Sequence, residues 1–157
     1  MNIPIQLLVI ETNAPAFGRL EKALEELVEE GVVNVEVRLS RVGDLQSANA
    51  YLDDKTGISV EGVISNVIFP SEDMWGKKEP NGRVIAEKCL LANKPFVWLS
   101  TDPDYDEAEK ELAWGRERGF DIIANIPVIA YLDFDQMAPI REMWINSLVA
   151  VLAKATA

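Results

Sequence analysis

A doubly wound α/β domain is the fold class this sequence predicts, and three observations carry that expectation. Short apolar runs rich in β-branched residues alternate with longer stretches of helical periodicity, five of each along 157 residues. The first and third runs are almost free of charge, as strands covered on both faces by helices should be. The third, Gly62-Val63-Ile64-Ser65-Asn66-Val67-Ile68-Phe69-Pro70, opens on Gly and closes on Pro, the bounds of a central buried strand. Right-handed crossovers then give a five-stranded parallel sheet, most simply in the order 2-1-3-4-5.

Each element follows from its residues. Ile5 to Ile10 is nearly all apolar and reads as the first strand, followed by the polar turn Glu11-Thr12-Asn13. A helix is predicted from Ala14 to Glu30, with Phe17, Leu20, Leu24, Leu27 and Val28 at helical spacing. Pro15 suits its first turn and Gly31 stops it. Val32 to Leu39 alternates β-branched residues with Asn34, Glu36 and Arg38, which predicts an edge strand. Asp44 caps a short helix through Leu45, Ala48, Tyr51 and Leu52, and residues 53–59 form the turn before the central strand.

Beyond Pro70, residues 71–82 show no periodicity, and a loop of that length at a carboxyl edge is often functional. Arg83 to Ala92 reads as a helix with Ile85, Cys89 and Ala92 aligned, and Pro95 to Leu99 as the fourth strand, running into Ser100-Thr101. Asp104 to Arg118 is an acidic helix ending at Gly119, and Asp121 to Ile126 is the fifth strand, closed by Pro127. The last helix, Asp135 to Lys154, aligns Met137, Ile140, Trp144, Leu148 and Val151. The whole chain, residues 1–157, reads as one domain.

Composition narrows the function. A formal net charge of −11 argues against nonspecific DNA or RNA binding, which needs Lys and Arg to displace counterions, and against an anionic membrane surface. No apolar run approaches a membrane span and the first residues lack a signal-peptide pattern, so a cytoplasmic location is expected. With one cysteine and no histidine, the usual Cys/His zinc sites and His-dependent triads are excluded. Cys89 sits on an apolar helix stripe and reads as an inert core thiol. No metal site and no cofactor are expected.

The candidate site lies at the carboxyl ends of the strands, where open α/β sheets gather their ligands. There the residues carry a family resemblance. Val63-Ile64-Ser65-Asn66 followed by Pro70 resembles the phospho-acceptor strand of response-regulator receiver domains, in which an Asp precedes Pro by four positions. Leu7 to Asn13 is similar to the first strand and its acidic pair, Pro95 to Ser100 to the strand ending in Thr or Ser, and Gly119 to Pro127 to the segment ending in Lys-Pro. Position by position, the resemblance puts Asn66 where the acceptor Asp would be, Glu11 and Thr12 at the acidic pair, Ile126 at the Lys and Ile123 at the aromatic switch; Ser100 alone matches.

An acyl phosphate needs a carboxylate nucleophile, and Asn66 is a neutral amide. Hard Mg²⁺ needs carboxylate oxygens, and one is left where the family supplies three. Ile126 cannot neutralise a phosphoryl group. The resemblance therefore implies a pseudo-receiver: a non-enzymatic signalling module acting through protein contacts. Its output and dimerisation surface would be the fourth helix, fifth strand and fifth helix, here Asp104 to Arg118 and Phe134 to Leu152. The extra residues before Gly82 carry Glu72, Asp73 and Trp75. They read either as a surface loop, with Trp75 mobile or folded back over the unused pocket, or as a binding loop that replaced phosphorylation as the input.

Other readings are weaker. Ser100 has no His to activate it, and Glu11 with Glu72 or Asp73 as an acid pair rests only on acidic residues in a polar loop. A flavodoxin-like protein would bind a flavin phosphate at the first strand-to-helix turn, but Thr12-Asn13-Ala14-Pro15-Ala16 offers no glycine-rich cradle. A small α/β enzyme using residues 71–81 lacks any convergent catalytic set.

Overall fold

In the computed structural model, which describes residues 3–73, 75–128 and 134–157, strands and helices alternate as the sequence predicts. Five parallel strands, β1 (Ile5–Ile10), β2 (Val37–Val42), β3 (Gly62–Asn66), β6 (Phe96–Ser100) and β7 (Ile122–Asn125), lie in the order β2-β1-β3-β6-β7. The expected order 2-1-3-4-5 is therefore the observed one. Between them run α1 (Ala14–Glu29), α2 (Leu45–Leu52), α3 (Gly82–Leu91), α4 (Tyr105–Glu117) and α5 (Phe134–Ala155).

The helices form two layers with different chemistry. On one face α1 and α5 bury an aliphatic set that includes Leu20, Leu27, Ile140 and Leu148, with Trp144 donating its indole N–H to the Ala16 carbonyl at 2.9 Å. On the other, α2, α3 and α4 cover Ile85, Cys89 and Leu112, and Trp98 stacks on Trp114 with centroids 6.0 Å apart. Burial pushes the Cys89 thiol up to about 12, consistent with an inert core residue.

Two strand boundaries differ from the sequence reading. The second strand begins at Val37 and runs to Val42, instead of Val32 to Leu39. The reason is register: β1 starts at Ile5, which pairs with Val37, so the β-branched residues Val32, Val33 and Val35 have no strand to pair with. They carry the chain from α1 to the sheet edge, with Val32 and Val33 amides both donating to the Leu27 carbonyl.

The central run is also shorter than its composition suggests. β3 stops at Asn66, and Phe69–Pro70 (β4) turns out of the sheet to pair antiparallel with Lys78–Glu79 (β5). The cause is the close approach of α3. Gly82 donates to the Val67 carbonyl at 3.1 Å, and a Cβ on Gly82 would lie 2.7 Å from the Val67 Cα. The segment expected to be an aperiodic loop is thus a small hairpin, anchored to α2 by the Gln46 amide on the Ser71 carbonyl and to α3 by Asn81 Nδ2 on the Phe69 carbonyl.

Candidate functional site

Glu11, Asn66 and Thr101 meet where β1, β3 and β6 end, and each is almost wholly buried. Asn66 closes β3 and spans both neighbouring strands: Nδ2 donates to the Ile10 carbonyl at 2.8 Å, and Oδ1 accepts the Thr101 amide at 2.8 Å. The Thr101 hydroxyl lies 2.7 and 2.9 Å from the two Glu11 carboxyl oxygens and 3.2 Å from Asn66 Oδ1. Glu11 Oε2 also accepts the Asn13 amide at 3.1 Å.

Burial raises the Glu11 carboxyl above its ordinary value of 4.5, and the Thr101, Asn13 and Asn66 hydrogen bonds offset part of that rise. The Thr101 hydroxyl is thus placed to donate either to a Glu11 carboxyl oxygen or to Asn66 Oδ1. Arg41 from β2 braces the turn above, giving Nε to the Glu11 carbonyl at 2.9 Å and Nη2 to the Thr12 carbonyl at 3.0 Å.

The structure brings together only some of the residues singled out in the sequence. Glu11 and Asn66 are joined through the Thr101 hydroxyl. Ser100 is buried beside them, but its hydroxyl accepts the Asp102 amide at 3.1 Å; the hydroxyl that links Glu11 to Asn66 belongs to Thr101. Successive side chains at a strand end point to opposite sides, and the run Ser100-Thr101 gives no sign of which one faces the cluster. Ile126 is half-buried and packs with Ile123 against the aliphatic layer, while its amide donates to the Ser100 carbonyl at 2.9 Å.

Thr12 lines a shallow cavity of about 240 Å³ above the cluster, together with Asn13, Trp75, Lys78, Thr101 and Asp102. The hairpin forms one wall of this cavity. Trp75 stands on the rim and is 87% exposed, so it is not folded down over the pocket. Glu72 and Asp73 are exposed and do not line the cavity; Asp73 Oδ1 accepts the Trp75 amide at 3.0 Å. The sequence marks Asp102 only as part of an acidic helix start and Lys78 not at all, yet Lys78 Nζ reaches Asp102 Oδ2 at 2.7 Å and ties the hairpin to the start of α4. No local pattern announces a pair 24 residues apart.

The donor set does not fit a divalent cation. Glu11 is the one carboxylate in the cluster, its oxygens are already hydrogen-bonded, and its raised titration disfavours the charged form. Among the described residues no three acidic, Cys or His side chains converge as a metal ligand set. A phosphate cradle at the start of α1 is equally ill served. The Ala16 amide is taken by Asn13 Oδ1 at 2.8 Å, and Pro15 has no N–H. Among the described residues no helix is long and apolar enough to cross a membrane.

The cyanobacterial phytochrome response regulator RcpA, in its phosphorylated form, superposes with a TM-score of 0.62 at 17% identity, covering 99% of this chain and 97% of that one. The fold is receiver-like. The Mn²⁺-bound form of response regulator Rcp1 gives a TM-score of 0.54 at 17% identity, over 88% of this chain and 90% of that one. Rubredoxin oxygen:oxidoreductase from Desulfovibrio gigas gives 0.53 at 19% identity over 98% of this chain, which spans only 37% of that protein. No family model matches the sequence. No curated protein matches it either. At these identities the likeness is one of fold.

Proposed function

We propose that this protein is a pseudo-receiver: a non-enzymatic, receiver-like signalling module that has given up phosphotransfer and works through protein contacts. The observation that supports it is Asn66. It stands at the end of the central strand as an amide, and both polar atoms of its side chain are committed to the Ile10 carbonyl and the Thr101 amide. An amide so placed offers no nucleophile to a phosphoryl donor. It serves as a clamp between strands. The half-buried Ile126 leaves the position of the family's lysine apolar, which removes the partner a phosphoryl group would need. The face formed by α4, β7 and α5 is then the natural surface for a partner protein, with the exposed Asp106, Glu107 and Lys110 of α4 available to it.

The test is an amide ¹H–¹⁵N spectrum recorded with and without Mg²⁺ plus beryllofluoride. The expected result is that Glu11, Asn66, Ser100 and Thr101 do not move. Joint, saturable shifts of those four resonances would overturn the proposal and make the pocket an anion- or metal-responsive switch. The cavity beside Trp75 supports a second reading, a small aromatic ligand stacked on the indole. A flavin mononucleotide titration in the same spectrum decides it: saturable shifts of Trp75, Thr12 and Asn13 favour the ligand, and an unchanged spectrum removes it.

A further inference from the structure

The charge order of α1 runs against its own dipole. A helix favours carboxylates in its first turn and cations in its last. α4 obeys this, with Asp106 and Glu107 at its start and Arg116 at its end, and α5 obeys it with Asp135 and Lys154. In α1 the first turn holds no acid and the last no base. Its cations, Arg19 and Lys22, lie near its middle with the exposed Glu21 between them, and Glu25, Glu26 and Glu29 crowd the end, followed directly by Glu30. Of these, only Glu26 has an ion-pair partner among the described residues, Arg141 of α5 at 2.7 Å.

An arrangement that is unfavourable within one helix becomes favourable against an antiparallel copy of itself. Opposed about a point near Leu24, Arg19 faces Glu29 of the mate and Lys22 faces Glu25 and Glu26, and two-fold symmetry repeats every pair. The surface is shaped for this. A groove of about 350 Å³ between α1 and α5 gathers Arg19, Lys22 and Arg141 around the single carboxylate Glu26. It is a cationic seat for the acidic end of the mate's α1. Toward the other end, α5 shows Val149, 47% exposed, and Val32 beside it is 58% exposed, both lining a groove of about 280 Å³. Ile145 and Ala153 continue that apolar strip at helical spacing.

We infer that the α1–α5 face binds a second copy of this chain, in an antiparallel, two-fold contact with charged α1 pairs flanking the apolar strip of α5. The inference stands on α1 and α5 alone and is independent of the phosphotransfer reading. It assigns self-association to α1–α5 and leaves the α4–β7–α5 face to a different partner.

The 157-residue chain is studied by sedimentation equilibrium. The expected result is a dimer. The double reversals R19E/K22E and E25K/E29K should each raise its dissociation constant by about tenfold or more, and mixing the two variants should restore a heterodimer. V149D should dissociate the dimer as well. E25K/E29K is the sharp arm, because it corrects the helix dipole and makes the chain less acidic. A contact governed by net charge would tighten there, while this one loosens. A monomeric wild type overturns the inference. So do reversals that leave the dimer intact, or α4 reversals (D106K/E107K) that dissociate it when the α1 reversals do not. Should a variant fail to fold, hydrogen exchange of the wild type on dilution gives the answer: protection lost in α1 and α5 supports the contact, and unchanged protection there refutes it.

Discussion

The carboxyl edge of the sheet holds two polar regions that behave oppositely. Below, Glu11, Asn66 and Thr101 are buried and bond to one another; above, the hairpin carries Trp75, Glu72 and Asp73 into solvent and touches the edge through Lys78. The lower region has the residue types of a site with no free valence, and the upper has free groups without convergence. The contrast teaches that a polar side chain at a strand end marks a working site only when some of its hydrogen-bonding capacity is left for a ligand. Here the buried polar groups hold strands together, so substituting them should cost stability, and substituting the hairpin should cost little.

The junction between the two regions is the most sensitive point. Gly82→Ala drives a Cβ into the Val67 backbone, which cannot yield as a flexible side chain would. The expected loss is about 3 kcal/mol, read as a lower urea midpoint with an unchanged slope. An unaltered midpoint would mean that α3 can slide and that the end of β3 is not fixed by it.

Next comes the clamp itself. Asn66→Ala strands the Ile10 carbonyl and the Thr101 amide in the interior, and the expected cost is about 2 kcal/mol by the same measurement. Asn66→Asp sets a second carboxyl beside buried Glu11. It should be destabilised increasingly as pH rises, and its spectrum should stay silent to beryllofluoride.

Glu11 makes the stability of the buried region depend on pH. Its folded titration lies above the ordinary 4.5 because burial disfavours the charge. The folded state therefore holds its proton where the unfolded chain has released it, and stability falls as pH rises from about 4.5 toward the folded value. Below that window the contribution is constant. Glu11→Gln removes the titration, so the difference in unfolding free energy between wild type and variant should shift in the variant's favour across that window. The lowered Asp53 and Glu109 act in the opposite sense and at lower pH, since their stabilisation is lost as pH falls below the ordinary carboxylate range.

The smallest effects belong to the hairpin. Lys78→Met leaves the buried Asp102 carboxylate without its cation and should cost about 1 kcal/mol. Trp75→Ala removes a side chain that is 87% exposed, and its melting should match wild type to within about 0.5 kcal/mol. A larger loss at Trp75 would mean that the indole packs on the molecule and that the two regions are one.

The sequence by itself determined the class of fold, the strand order and the burial of the central strands. Those follow from periodicity and from charge-free runs, which local composition records directly. It also determined that the third strand ends on an uncharged amide, Asn66. Tertiary structure alone decided where the strands stop. Val32 to Val35 have every local preference for a strand but no partner, because β1 begins at Ile5, and Val67 leaves the sheet because Gly82 of α3 presses on its backbone. It alone decided that Thr101 and not Ser100 completes the cluster, and that Lys78 meets Asp102. Such pairings depend on how distant segments are registered, and no short window of sequence encodes that registration.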